Sequence, residues 1–337
     1  MENFDIPIVL FTFKRLDKTL EVLEVIAKVK PKKIYILSDQ GRNSDEQLIV
    51  NKLRKEIELR IDWECELIKN YATENRGVYE NIGEGSKWVL NREKWAIFLE
   101  DDNLPDISFF YFCKSMLEYY ENEKKILWIC GTNYLKEYKP NDDASYIFTS
   151  HMLPCGWASW SDKFLKYYDG NLKLWKNKET KNKLLSSNIY RPLLKQDFKN
   201  WDRELDRIER GLKPDSWDYQ MALSLKANEL YGIVPKYNLI KNIGVDLDSI
   251  HGGNSYELEM TRRFCNIPTK SLEFPLVHPL KIQIDPDFET LNAKIITLPF
   301  KDRLKGSIAS FFKKVLGMND EDSIIGTIKN TFLFSKK

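Results

Sequence analysis

The chain has 337 residues, of which 42% are hydrophobic and 30% charged, and a formal net charge of +2. That length supports one large or two modest domains with genuine cores, and the near-neutral balance argues against bulk attraction to nucleic acid. Five scattered cysteines without a Cys-x-x-Cys pair fit neither a zinc site nor a disulfide framework and point to a reducing compartment.

The first 150 residues alternate strand and helix signals. Ile6 to Phe13 reads as a buried strand, Asp17 to Lys30 as a helix, and Lys33 to Leu37 as a second strand closing on Ser38-Asp39-Gln40-Gly41. Asp45 to Leu59 reads as a helix, Cys65 to Ile68 as a strand and Gly77 to Leu90 as a helix. Trp95 to Leu99 is the next strand, and it runs directly into Glu100-Asp101-Asp102. This β-α-β-α order predicts an α/β fold with a largely parallel central sheet flanked by helices. Ligands on such sheets bind outside the carboxyl ends of the strands, so Arg15, Asp39 and the three acids are expected to face one cleft.

From about 150 the pattern loosens. His151 to Trp160 is rich in Gly, Pro and aromatics, residues 171–212 are polar and helical, and Pro214 to Ala227 runs from a loop into a helix. Tyr231 to Lys241 predicts a further strand. In Lys301 to Leu316, Leu304, Ile308, Phe311, Phe312, Val315 and Leu316 fall at helical spacing among five Lys and Arg residues. A basic amphipathic helix of this kind either lies on an anionic membrane surface or docks on protein. With no leader in residues 1–11 and no apolar run long enough to span a bilayer, the expected location is cytoplasmic, peripheral on the membrane if the tail binds lipid.

Three adjacent carboxylates repel one another, so a fold either solvates them in an exposed turn or gives them a cation. Oxygen ligands suit Mg²⁺ or Mn²⁺, commonly through one or two carboxylates plus substrate phosphate.

The run Ala96 to Asp102, followed by Pro105-Asp106 and Phe109-Phe110, resembles the acidic motif of GT-A-fold glycosyltransferases. The likeness is to N-acetylglucosaminyltransferase I and its bacterial relatives, which belong to the nucleotide-diphospho-sugar transferase superfamily. Pro7 to Arg15 is similar to that family's first strand, and Cys155-Gly156-Trp157-Ala158-Ser159-Trp160 to a Gly-Trp-Ala-Thr-Trp segment. Ser216-Trp217-Asp218-Tyr219-Gln220 and Pro235 to Gly244, ending at His251, extend the likeness over residues 6–254.

The resemblance implies a metal-dependent, inverting transferase moving a sugar from a UDP-type donor to a glycan or glycolipid hydroxyl, in surface polysaccharide or glycoconjugate synthesis. Residues 1–150 would form the nucleotide-sugar-binding half, 151–295 the acceptor-binding and catalytic half, and 296–337 a helical tail. Asp102 would ligate Mn²⁺ or Mg²⁺, with His251 as a second ligand or phosphate contact. Glu100 and Asp101 would receive donor hydroxyls, Asp39 the uracil N–H, and Arg15 the diphosphate. Arg76, at a helix start, would contact the donor, and Trp157 and Trp217 would wall its pocket.

Asp218 would be the general base, within reach of the acceptor hydroxyl; the plainer reading is an acid that starts the following helix. Arg15 as a solvated helix-start residue, Trp157 as a core residue and His251 as an incidental loop histidine stay open in the same way. Two other classes also stay open: a sugar nucleotidyltransferase, which normally carries a Gly-rich loop after the first strand, and a non-catalytic carbohydrate-binding module.

Overall fold

The computed structural model describes residues 4–187, 190–245 and 255–315. The chain forms two compact units, Met1–Ile295 and Ile296–Lys337.

In the first unit β1 (Ile8–Thr12), α1 (Leu16–Val29), β2 (Lys33–Ser38), α2 (Ser44–Arg60) and β3 (Glu66–Tyr71) follow one another as two β-α-β crossovers. A π-helical turn (Tyr79–Glu84) leads into α3 (Gly85–Leu90), then β4 (Trp95–Glu100), β5 (Asn103–Pro105), α4 (Ile107–Tyr119), β6 (Ile126–Cys130), β7 (Tyr146–Thr149) and β8 (Trp157–Trp160). Helices α5 (Ser161–Tyr167), α6 (Lys173–Lys176), α7 (Lys178–Ser186), α8 (Arg191–Glu209) and α9 (Asp218–Ala227) precede β9 (Tyr231–Pro235) and β10 (Ile240–Asn242). Helices α10 (Glu259–Phe264) and α11 (Pro286–Ile296) close the series. The second unit contains α12 (Phe300–Val315). There Leu304, Ile308, Phe311 and Val315 share one helical face by spacing; Leu316 lies outside the described residues. Among the described residues, no helix is long and apolar enough to cross a membrane.

Eight strands form one sheet in the order β3-β2-β1-β4-β8-β6-β9-β7, and β10 pairs with β5 in a second, small sheet. β3, β2, β1 and β4 are mutually parallel, as are β6 and β9. β8 enters antiparallel between β4 and β6, and β7 runs antiparallel along β9. The sheet thus joins residues on both sides of position 150 in one mostly parallel α/β architecture flanked by helices.

Both faces of the sheet are covered, which is why β1, β2 and β4 read as continuous apolar runs. On one face Ile8, Leu10, Ile34 and Ile36 pack with Val22, Leu23 and Ile26 of α1, Leu53 and Ile57 of α2, and Phe109, Phe110 and Phe112 of α4. On the other, Phe11 stacks on Phe98, and Phe98 on Trp157 at 3.9 Å between ring centroids. A second cluster holds α6 to α9 together around Trp175 and Trp201.

Three expectations change. The helix expected from Gly77 to Leu90 is present, but its middle, Tyr79–Glu84, is π-helical; Gly77 at its start takes φ +76° and gives its N–H to Asp39 Oδ2 at 3.0 Å. The strand expected over Tyr231–Lys241 breaks into β9 and β10. Buried Asn238 turns the chain there, accepting from Asn133 N at 3.0 Å and donating to the Ile240 carbonyl at 2.7 Å. Finally, the aromatic segment ending at Trp160 is not loose: Trp157–Trp160 forms the central antiparallel strand β8.

Candidate functional site

The sheet order places the site. From β1 the chain winds outward through β2 to β3, then returns to lay β4 on the other side of β1. That reversal opens a crevice beyond the carboxyl ends of β1 and β4, the switch point at which open α/β sheets bind ligands. A cavity of about 320 Å³ lies there, lined by Phe11 to Arg15 at the carboxyl end of β1 and by Glu100 to Asn103 at that of β4. Its size is at the lower end of small-molecule sites.

Arg15 precedes α1 but makes no side-chain cap to it. Its guanidinium turns instead to the acids, donating from Nη1 to Asp102 Oδ2 at 2.6 Å and to Asp101 Oδ1 at 3.4 Å. The Phe13 N–H donates to Asp101 Oδ2 at 3.2 Å, and Asn103 Nδ2 to Asp102 Oδ1 at 2.7 Å. Asn103 is itself held by the Gly156 N–H, 2.8 Å from its Oδ1. The sequence offers one signal for Asn103, its adjacency to the acids.

Burial pushes the Glu100 carboxyl well above the usual range, and the charges of Asp102, Asp101 and Asp218 add to the rise while Arg15 opposes it. Burial, followed by the neighbouring Asp102 charge, pushes Asp101 up to about 7, against the pull of Arg15 and the Phe13 N–H. A carboxyl whose folded pKa is raised stabilises the fold below its unfolded pKa of about 4 and loses that contribution as pH rises through the folded value. Metal-free protein is therefore expected to lose thermal stability between about pH 5 and pH 8, and added Mn²⁺ to offset the loss, because ionised carboxylates are the form that takes a cation. Melting curves across that range, with and without Mn²⁺, check this; a metal-free midpoint that rises with pH would contradict it.

The donor set fits a hard divalent cation that brings most of its ligands from phosphate and water. Among the described residues, no three His, Cys, Asp or Glu side chains form a ready-made metal group, so Asp102 would act with the ligand rather than as part of a protein cage. His251 lies outside the described residues. Gly244 follows β10 and sets the space around Asp102: a Cβ there would lie 2.9 Å from Asp102 Cγ and 3.0 Å from Asn242 Oδ1, inside contact distance. Gly244→Ala should displace the Asp102 carboxylate and weaken metal-dependent nucleotide binding about 10–100-fold, the range seen when ligand-orienting neighbours are altered. Calorimetric titration of the variant with UDP and Mn²⁺ measures it, and wild-type affinity would refute the positioning role.

Trp217 and Asp218 close the cavity from α9. Asp218 Oδ1 accepts from Ser216 Oγ and, at 3.0 Å, from the Tyr219 N–H, so this oxygen anchors the helix start. The hydrogen bonds of the described residues leave Oδ2 unengaged. One carboxylate thus combines the plain role at the helix start with a place in the cavity wall.

Asp39 also lines the cavity, but its carboxylate is spent on loop backbone. Oδ1 accepts from the N–H groups of Gln40 (2.8 Å) and Arg76 (2.7 Å), and Oδ2 from Gly77 N (3.0 Å) and Asn75 Nδ2 (3.2 Å). These bonds fill the usual acceptor capacity of a carboxylate, so a ligand N–H would have to displace one.

Two expected donor contacts sit elsewhere. The Arg76 guanidinium is not part of the cavity wall; its Nη2 donates to Asn70 Oδ1 at 2.9 Å, and only the backbone of Arg76 serves the site, through Asp39. Trp157, 1% exposed, is sandwiched between Phe98 and Trp128 in the core, where it supports Trp217 at 5.6 Å rather than facing the cavity. His151 is likewise a packing residue, with Nε2 3.0 Å from the Glu289 carbonyl of α11.

The chain matches no family model and no curated protein. Its fold is similar to solved structures at low identity. One is 4-diphosphocytidyl-2C-methyl-D-erythritol synthase from Anaerococcus prevotii, with 11% identity, TM-score 0.31, and coverage of 60% of this chain and 86% of that one. Another is HddC from Yersinia pseudotuberculosis, with 11% identity, TM-score 0.32, and coverage of 50% and 83%. A third is a UDP-glucose pyrophosphorylase complexed with UDP-glucose, with 9% identity, TM-score 0.33, and coverage of 70% and 93%.

Proposed function

We propose that the protein is a metal-dependent glycosyltransferase using a nucleotide-diphosphate sugar, UDP-linked by family likeness, and a hydroxyl acceptor on a glycan or glycolipid. The observation that carries this reading is the meeting of Arg15, Glu100-Asp101-Asp102 and Asp218 in one cavity at the switch point. An anionic diphosphate needs cationic partners, a sugar and ribose need acceptors for their hydroxyls, and an incoming hydroxyl needs a base.

Asp102 would hold Mn²⁺ or Mg²⁺, which when bound would neutralise charge on the departing diphosphate. Arg15 shares that work by exchanging its contact with Asp102 for phosphate oxygen. Glu100 and Asp101 receive donor hydroxyls, and Trp217 forms the apolar wall behind the reacting centre. Asp218 accepts the acceptor's proton at Oδ2 as the acceptor oxygen bonds to C1. The bond from C1 to the phosphate oxygen breaks, and its electron pair leaves with the nucleoside diphosphate. This displacement inverts the anomeric centre. The basic amphipathic character of α12 supports contact with an anionic membrane surface, where lipid-linked acceptors reside.

The second reading is sugar-nucleotide synthesis from a nucleoside triphosphate and a sugar phosphate. Against it stands the loop after β1, Phe13-Lys14-Arg15, which has no glycine to let backbone wrap a triphosphate. Product analysis separates the two readings. Release of nucleoside diphosphate from a nucleotide sugar upon acceptor addition supports transfer, whereas pyrophosphate release from UTP and a sugar 1-phosphate would replace it with the second reading.

A further inference from the structure

Asn81 lies within the π-helical turn Tyr79–Glu84 and is 6% exposed. It contributes to the wall of the cavity that holds the acids. Its Oδ1 is buried with no hydrogen-bond partner among the described residues. Polar groups beside it are satisfied: Tyr79 Oη donates to the Gly170 carbonyl at 3.1 Å, and Ser86 Oγ of α3 to the Ile82 carbonyl at 2.6 Å. Thr12 Oγ1 is likewise buried and unpartnered in the same wall, whereas Gln220 and Asn292 carry unpartnered buried atoms away from the cavity.

An unpaired buried amide destabilises a fold, and a leucine of similar bulk would remove that cost. A polar side chain kept at such a position, in the wall of a ligand cavity, is accounted for if the missing partner is the ligand. π-Helical turns are enriched at functional sites, where the altered register re-aims side chains.

We propose that the Asn81 carboxamide is a recognition group for the donor, exchanging hydrogen bonds with one of its hydroxyls. A carboxamide suits a hydroxyl because each both donates and accepts. The inference rests on the nucleotide-sugar reading of the same cavity. The hydroxyl belongs either to the ribose or to the transferred sugar.

The test is Asn81→Leu in the full chain, titrated with Mn²⁺ and either UDP or UDP-linked sugars, alongside thermal melting without ligand. The expected result is an unchanged or raised melting temperature, with affinity reduced about tenfold or more, as for loss of a hydrogen bond to ligand. Reduction for both UDP and the UDP-sugar assigns the ribose; reduction for the UDP-sugar alone assigns the transferred sugar. Affinity within twofold of wild type for both ligands overturns the inference, as does a marked fall in melting temperature shared by Asn81→Leu and Asn81→Ala, which would mark a structural amide. If wild-type protein binds neither ligand, the nucleotide-sugar reading itself fails, an outcome distinct from equal binding by wild type and variant.

Discussion

Replacing Asp218 by Asn is expected to lower turnover about 10²–10⁴-fold, the usual worth of a positioned general base, while leaving donor affinity nearly unchanged. Asn is the informative substitution because it keeps an oxygen where Oδ1 receives Ser216 Oγ and the Tyr219 N–H. The start of α9 therefore stays anchored and the fold is retained, while the group can no longer take a proton. A transferase that loses binding and turnover together would instead show Asp218 to be a scaffold for Trp217. Full activity in Asp218→Asn would move the base elsewhere. Steady-state rates beside nucleotide affinity, on the same preparation, separate these outcomes.

Asp102→Ala should have the largest effect on binding, removing metal-dependent nucleotide affinity by about 10² or more, beyond the loss from disturbing an orienting neighbour. The same change leaves Arg15 its Asp101 contact at 3.4 Å and removes the second-largest cause of the raised Glu100 and Asp101 pKa values. The metal-free protein should thus become less sensitive to rising pH, even as it loses its response to Mn²⁺. A metal requirement that survives Asp102→Ala, measured by calorimetry across Mn²⁺ concentrations, would reassign the ligand within the acidic run.

How far the sequence discloses this site depends on the range of the interactions that build it. β1 and β4 are legible because strands buried on both faces are apolar runs, and the acids follow β4 without interruption. The parallel order and the strand-end position of Arg15, Asp39 and Glu100 follow from alternation alone. Side-chain direction does not. Arg76 stands at a helix start, where an anion contact is a natural expectation, yet Asn70, six residues back on β3, takes its guanidinium. Trp157 looks like a pocket aromatic beside Gly156, but its place is set by Phe98 and Trp128, both remote in sequence. The four residues of β8 are too short to show a period, so their insertion between β4 and β6 is visible only in three dimensions. The hold of Asn103 and Gly244 on Asp102 depends on β5 and β10 meeting across 135 residues or more, with Asn103 opposite Asn242.

The most direct test of the central claim is calorimetric titration of the full chain with UDP, in the presence and absence of Mn²⁺. The account predicts saturable binding that strengthens at least about tenfold with Mn²⁺, strengthens further as pH rises through about 7, and is lost in Asp102→Ala. Absence of nucleotide binding under all of these conditions, or affinity indifferent to both metal and Asp102, would contradict it.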